Sequence, residues 1–206
     1  MTEKPKHDTE HYFTTAPISR EKLGLITATL RGKSLRFLTS SSVFSKKRID
    51  AGTRLLIEAM VLPDAGTVLD IGCGYGAVGI SAAASNPQLR VVMTDVNRRA
   101  VQLAKRNLEI NKVYNTEVRH GYLYDPVKDL KFNCILTNPP VSAGMETVKN
   151  LIAQAPQVMA EKATFQMVIR SKIGAKTLHT VFNEAFGNCQ ILARKSGYRV
   201  LMAQKQ

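Results

Sequence analysis

The chain is 206 residues long, 44% hydrophobic, and carries 29 Lys+Arg against 16 Asp+Glu, a formal net charge of +13. That length and apolar content suit one domain with a small appendage and exclude an intrinsically disordered chain. No apolar run approaches the ~20 residues that span a bilayer, and MTEKPKHDTEHYF lacks the apolar core of a secretion signal, so a cytoplasmic protein with no membrane partner is expected.

Residues up to about Ser19 are polar, contain Pro5 and Pro17, and read as an arm. Lys22–Ser40 alternates, with Leu23, Leu25 and Thr27 on one side and Leu35, Phe37 and Thr39 beyond a turn at Arg31-Gly32-Lys33-Ser34, the pattern of a hairpin. Ser40–Arg48 is a serine-rich basic loop carrying Val43-Phe44. Asp50 or Thr53 caps a helix running to about Leu62, with Leu55, Leu56, Ala59 and Met60 inward and Pro63 closing it.

Strands and helices then alternate. Thr67–Ile71 reads as a strand, Gly76–Ser85 as a helix of small residues, and Arg90–Thr94 as a second strand ending in Asp95. Asn97 caps a helix to about Asn111 that buries Ala100, Val101, Ala104 and Leu108. Glu117–His120 and Phe132–Thr137 are the third and fourth strands, and helical spacing resumes over Glu146–Ala160. A strand at Thr164–Ile169, a helix at Ala175–Phe186 and a hairpin of Cys189–Arg194 with Tyr198–Ala203 complete the chain. This alternation predicts an α/β fold: a mostly parallel sheet covered by helices on both faces, with an antiparallel strand added at its edge. Residues 1–50 form an arm, a hairpin and a lid loop for substrate or cofactor; 51–206 form the main domain.

Three cysteines far apart, Cys73, Cys134 and Cys189, provide neither a disulfide framework nor a zinc site. His7 and His11 stand four apart in a polar tail, where solvated histidines are the ordinary case, so no metal is expected. The basic excess clusters at Lys46-Lys47-Arg48, at Arg98-Arg99 with Lys105-Arg106, and between Arg170 and Lys176. It favours a polyanionic partner, nucleic acid foremost, with simple solubility as the alternative.

The candidate site begins at Val68–Ile80, VLDIGCGYGAVGI, where an apolar strand ends in an acid and turns through three alternating glycines into a helix. Without side chains at Gly72, Gly74 and Gly76, backbone N–H groups are expected to approach a ligand. Gly72-x-Gly74-x-x-Ala77 and Gly74-x-Gly76-x-x-Gly79 both fit a dinucleotide pattern. Asp95, 19 to 23 positions beyond the glycines, stands where a carboxylate accepts from a ribose diol; its alternative is a capping acid before Asn97. A hydride-transfer enzyme and a methyltransferase both remain open at this point. Asn138-Pro139-Pro140 separates them. A proline pair after a strand could merely stop it, but the Asn138 amide oxygen and the Asn138 and Pro139 carbonyls can hold an exocyclic NH2 by its hydrogens. That grip favours an sp³-like nitrogen and stabilises positive charge there as the nitrogen attacks a methyl group, with no obligatory general base.

Asp70-x-Gly72-x-Gly74-x-Gly76, Asp95 and Asn138-Pro139-Pro140 together resemble the class I S-adenosylmethionine-dependent methyltransferases of the amino-methylating type. More narrowly, Val43-Phe44-Ser45, Asp50-x-Gly52-Thr53, Gly72-Cys73-Gly74-Tyr75-Gly76, Thr94-Asp95-Val96-Asn97 and Asn138-Pro139-Pro140-x-x-Ala143-Gly144 resemble the ribosomal RNA small subunit methyltransferase C family. The resemblance implies a Rossmann-like fold with a mostly parallel seven-stranded sheet, an antiparallel C-terminal hairpin and a small N-terminal hairpin. It implies S-adenosylmethionine as cofactor, contacted through Asp70, Gly72, Cys73, Gly74, Gly76, Asp95, Val96 and Asn138. Asn138 and Pro139 would be catalytic, orienting a guanine N2 amine, and Phe44 and Pro140 would flank the flipped base. Asp50 and Thr53 would close over the methionine end. Where many relatives bind adenine with an Asp or Asn, this chain has His120-Gly121-Tyr122, which assigns that role to the Tyr122 ring or a backbone amide. Ser42 stands where a Gly is usual.

The implied function is methylation of guanine N2 in small-subunit ribosomal RNA, with naked RNA or the ribosomal particle as partner and the assembly state open. The alternatives are methylation of a glutamine side chain or of another RNA amino group, and a non-catalytic RNA-binding module. Val141 follows the prolines where glutamine methyltransferases usually carry an aromatic, and the intact Asn138-Pro139-Pro140 argues against loss of catalysis.

Overall fold

The computed structural model describes residues 23–40, 48–139, 144–172 and 175–206. Leu23–Leu30 (β1) and Lys33–Ser40 (β2) pair antiparallel around a two-residue turn, Arg31-Gly32, in which both residues have positive φ, 46° and 75°. Such a turn matches the right-handed twist of the strands it joins. The register Ile26↔Phe37 and Ala28↔Leu35 puts the even-numbered residues of β1 on the inner face, and Ile26, Ala28 and Leu30 are buried there. The stripe of Leu23, Leu25 and Thr27 therefore lies on the opposite face from Leu35, Phe37 and Thr39; Leu23 and Leu25 are 52% and 60% exposed.

The hairpin is docked by two asparagines one turn apart on α3 (Arg98–Asn111). Asn107 accepts from Leu38 N (2.7 Å) and donates to Leu38 O (3.0 Å); Asn111 accepts from Arg36 N (2.9 Å) and donates to Arg36 O (2.7 Å). Each side-chain amide thus stands in for a neighbouring strand at an open edge. Asn107 also donates to Tyr75 O (2.9 Å), joining the hairpin to the glycine turn.

Helix α1 spans Ala51–Ala59, shorter than the expected run to Leu62, because Met60 adopts φ −58°, ψ 133° and leaves the helix. Asp50 is its N-cap, and the Arg31 guanidinium takes up two carbonyls at its other end, Ile57 O (3.2 Å) and Met60 O (3.1 Å). Just beyond, the buried Gln166 side chain accepts from Val61 N (2.9 Å) and donates to Val61 O (2.6 Å).

The main sheet has seven strands: β3 (Gly66–Ile71), β4 (Leu89–Asp95), β5 (Thr116–His120), β6 (Phe132–Thr137), β7 (Met159–Arg170), β8 (Gln190–Lys195) and β9 (Tyr198–Gln204). Their order is β5-β4-β3-β6-β7-β9-β8, parallel through β7 and antiparallel from β7 to β9 and β9 to β8. The antiparallel strand is not the edge strand that the sequence suggests. β9 buries Val200, Leu201 and Ala203 and lies inside, while β8 exposes Gln190, Arg194 and Lys195 and forms the edge.

Helices α2 (Ala77–Ser85) and α3 pack with α1 and the hairpin on one face; α4 (Met145–Gln154) and α5 (Ala175–Phe186) pack on the other. α4 ends six residues before the expected Ala160. Pro156 cannot continue an α-helix, so the chain passes through a 3-10 turn and enters β7 at Met159, five residues before the expected Thr164. Lys162, at φ 60°, marks an irregular stretch early in that strand that hides it from period-two reading.

Candidate active site

The order of the parallel strands reverses between β3 and β6, and ligands bind such sheets at the carboxyl ends flanking that point. A cleft of ≈ 540 Å³, counted to its open mouth, lies there. Its walls are Ile71 and Gly72 at the end of β3, Asp95 and Val96 at the end of β4, Tyr122 and Leu123 after β5, Pro139 after β6, and Val148 and Leu151 of α4. Asp95 is the one charged residue lining it, and no Lys or Arg does so among the described residues.

The glycine turn differs from its expected form. Gly72 N and Cys73 N both donate to Thr94 O (2.8 and 2.9 Å), Gly74 N to Asp95 Oδ2 (2.8 Å), and Gly76 N to Cys73 O (2.9 Å). The N–H groups expected to face a ligand are used inside the protein. Asp70, 1% exposed, accepts from Gly79 N (2.8 Å) in the first turn of α2 and so occupies the anion-attracting end of that helix. Burial raises the Asp70 carboxyl to about 7; the Gly79 bond opposes this and the Asp95 charge adds to it. The Cys73 thiol is pushed well above its ordinary value by burial and by the Asp95 and Asp70 charges, which excludes a reactive thiolate. Gly72, at φ 72°, borders open space: a Cβ there would meet nothing within 4 Å. Of the expected cofactor residues, Gly72, Asp95, Val96 and Tyr122 line the cleft, while Asp70, Cys73, Gly74, Gly76 and Asn138 are not among its lining residues.

Asp95, 2% exposed, is held by Gly74 N on one oxygen and by Asn97 N (2.8 Å) on the other, so it caps the turn into α3 as well as lining the cleft. The adjoining loops are pinned to one another. Gly121 N donates to Asp95 O (3.0 Å), His120 Nε2 donates to Val96 O (2.9 Å), and the buried Tyr124 hydroxyl donates to Leu151 O (2.7 Å). Tyr122, 49% exposed, stands at the cleft between these ties.

On the other side, Thr137 Oγ1 donates to Ile71 O (2.9 Å), joining the ends of β6 and β3. Asn138, half-buried, donates through Nδ2 to Thr53 Oγ1 (2.8 Å) and Asp50 Oδ2 (3.4 Å), and Pro139 is buried at the cleft wall. The structure thus places Asp50 and Thr53 against Asn138. Phe44 and Pro140 lie outside the described residues, as do Ser42, Val141 and Ala143. Sequence reasoning missed the α4 wall, although Val148 and Leu151 stand three apart, as one face of a helix requires.

A cleft that is apolar, with a single carboxylate and no cationic side chain among the described residues, does not suit a pyrophosphate, least of all beside a helix end already occupied by Asp70. It suits an uncharged nucleoside joined to a cationic sulfonium centre. Among the described residues, no three His, Cys, Asp or Glu side chains gather into a metal-binding group, and no helix is long and apolar enough to cross a membrane.

Comparison with known proteins agrees with this chemistry. Residues 34–202 match the methyltransferase small domain model. The chain is 34% identical over 198 residues to the uncharacterized protein YbxB of Bacillus subtilis, covering 95% of this chain and 98% of that one. It is 32% identical over 184 residues to the ribosomal RNA small subunit methyltransferase C of Vibrio parahaemolyticus, covering 87% of this chain and 52% of that one, so it spans about half the length of that relative. Its fold matches the T. thermophilus 16S rRNA N2 G1207 methyltransferase (RsmC), solved in complex with AdoMet and guanosine, at a TM-score of 0.81 and 24% identity, covering 93% of this chain and 52% of that one. The chain belongs to the methyltransferase small domain family.

Proposed function

We propose that this protein methylates the exocyclic N2 amine of a guanine in small-subunit ribosomal RNA. One observation carries the reading: Asn138 has its amide N–H groups engaged by Asp50 and Thr53, which leaves Oδ1 as the acceptor for a substrate amine, beside a cleft that suits the cofactor.

In this reading Asp95 accepts from the cofactor's ribose hydroxyls, Val96 and Tyr122 pack on its adenine, and Gly72 leaves room for the methionine end. Asp70, Cys73, Gly74 and Gly76 act by shaping and bracing the turn. S-adenosylmethionine supplies an electrophilic sulfonium methyl group. Asn138 Oδ1 and the neighbouring backbone carbonyls of Asn138 and Pro139 grip the amine hydrogens, turning the nitrogen lone pair out of conjugation. They also stabilise the charge that develops on nitrogen, which loses a proton to solvent after transfer. Phe44 and Pro140 complete the slot for a base taken out of its stack.

Charge supports RNA as the substrate. β7 ends at Arg170, paired with Tyr198 at the start of β9, and Tyr198 pairs with Lys195 at the end of β8. Arg170, Lys172, Arg194 and Lys195 are exposed along this edge, the same edge of the sheet as Asn138, and the Arg170 guanidinium lies 5.6 Å from the Tyr198 ring centroid. Such a rim can follow a phosphate backbone leading to the cleft.

The test is transfer of labelled methyl from S-adenosylmethionine to undermodified small ribosomal subunits. The label is expected on guanine N2, and Asn138→Ala is expected to retain cofactor binding while turnover falls on the order of a hundredfold. Absence of label on rRNA guanine would defeat the proposal.

A further inference from the structure

We infer that Asp50 is a positioning residue: the N-terminal end of α1 dictates which way the Asn138 side-chain amide faces. The inference rests on the reading of Asn138 as the acceptor for the substrate amine.

An asparagine amide presents an acceptor on one side and donors on the other, and catalysis as proposed works in only one of the two orientations. Thr53 cannot choose between them, because its hydroxyl at 2.8 Å accepts from Nδ2 as readily as it would donate to Oδ1. Asp50 can. Its Oδ2 already accepts from Gly52 N (2.9 Å) and Thr53 N (3.1 Å), which requires an acceptor atom at that point in space. That oxygen stands 3.4 Å from the Asn138 amide, where a second acceptor would be repelled and an N–H is attracted. The sequence of constraint runs from two helix N–H groups, through one carboxylate oxygen, to the amide. The outcome is Oδ1 turned away from α1 and available to substrate.

The support itself is braced. Leu56 and Ile57 are fully buried, Arg31 and Gln166 hold the far end of α1, and a Cβ on Gly52 would lie 2.8 Å from the Tyr198 ring, so the helix start rests directly on β9.

The substitution that isolates this role is Asp50→Ser. Serine caps a helix as well as aspartate does, but its hydroxyl both donates and accepts, so the amide is no longer held to one orientation. With undermodified small subunits and labelled S-adenosylmethionine, kcat is expected to fall on the order of tenfold, with KM for the subunit and Tm unchanged. Asp50→Asn, whose side-chain oxygen must still serve the two helix N–H groups, is expected to restore most of the rate. On an Asn138→Ala background, Asp50→Ser is expected to slow the reaction no further. Equal slowing on both backgrounds, or wild-type kcat in Asp50→Ser, would overturn the inference. Wild-type turnover in Asn138→Ala alone would instead remove the reading of Asn138 on which it rests. Thr53→Val is a second probe, since it takes away the 2.8 Å partner but leaves the Asp50 oxygen. It is expected to lower kcat less than Asp50→Ser, and the reverse ranking would assign the control to Thr53 and refute the role of Asp50.

Discussion

Asp70→Asn tests whether the glycine turn beside the cleft is built on a buried, reluctant carboxylate. Burial raises the folded-state value from 3.8 to about 7, whereas the unfolded chain keeps the ordinary value. Below the unfolded value both states are protonated and folding meets no penalty. As pH rises toward 7 the unfolded state ionises while the folded state holds its proton, so stability falls by about 1.4 kcal/mol per pH unit, and the loss is complete above the folded value. A shift of about three units is worth ~4 kcal/mol in total, of which ~3 kcal/mol falls between pH 5 and pH 8. Asparagine accepts from Gly79 N in the same way and does not titrate, but its NH2 needs a partner, a pH-independent loss of about 1–3 kcal/mol. The stability difference between Asp70→Asn and wild type should therefore move in favour of the mutant by ~3 kcal/mol from pH 5 to pH 8. Urea unfolding of both proteins across that range measures it directly. Parallel stability curves would refute the buried-carboxylate account, because the amide penalty cannot produce a slope.

Two further predictions concern binding. Asp95→Ala removes the acceptor of Gly74 N and Asn97 N, so it should lower Tm, with about 1–3 kcal/mol for each orphaned donor and ~2–4 °C per kcal/mol at this chain length. It should also weaken S-adenosylmethionine binding more than it slows turnover at saturating cofactor, and calorimetry showing equal affinity would exclude the ribose contact. Replacing Arg170 and Lys172 together by Glu should weaken binding of small-subunit RNA and flatten its dependence on salt by about one counterion or more, with cofactor affinity unchanged. An unaltered salt slope would place the RNA elsewhere.

Much of the local structure is legible in the residues because local chemistry decides it. Asn97 caps α3, the apolar run Phe132–Thr137 is β6 to the residue, and helix α5 spans Ala175–Phe186 as its spacing requires. Asp95, the glycines and Asn138-Pro139 fall together at one edge of the sheet because each follows a strand in the same parallel set. Where tertiary contacts override local pattern, the residues mislead. Asn107, which is not among the apolar residues expected on the buried face of α3, is fully buried because β2 and Tyr75 supply partners for its whole amide. β9 outranks β8 for the inner position only because its apolar residues meet β7. Most of all, the grip on Asn138 joins side chains 85 and 88 positions apart. Sequence alone determined that an asparagine and a proline would follow β6, at the carboxyl edge of the parallel sheet. Only the tertiary structure brought Asp50 and Thr53 to the amide of that asparagine, since a hydrogen-bond donor is oriented by its neighbours in space and not by its neighbours in the chain.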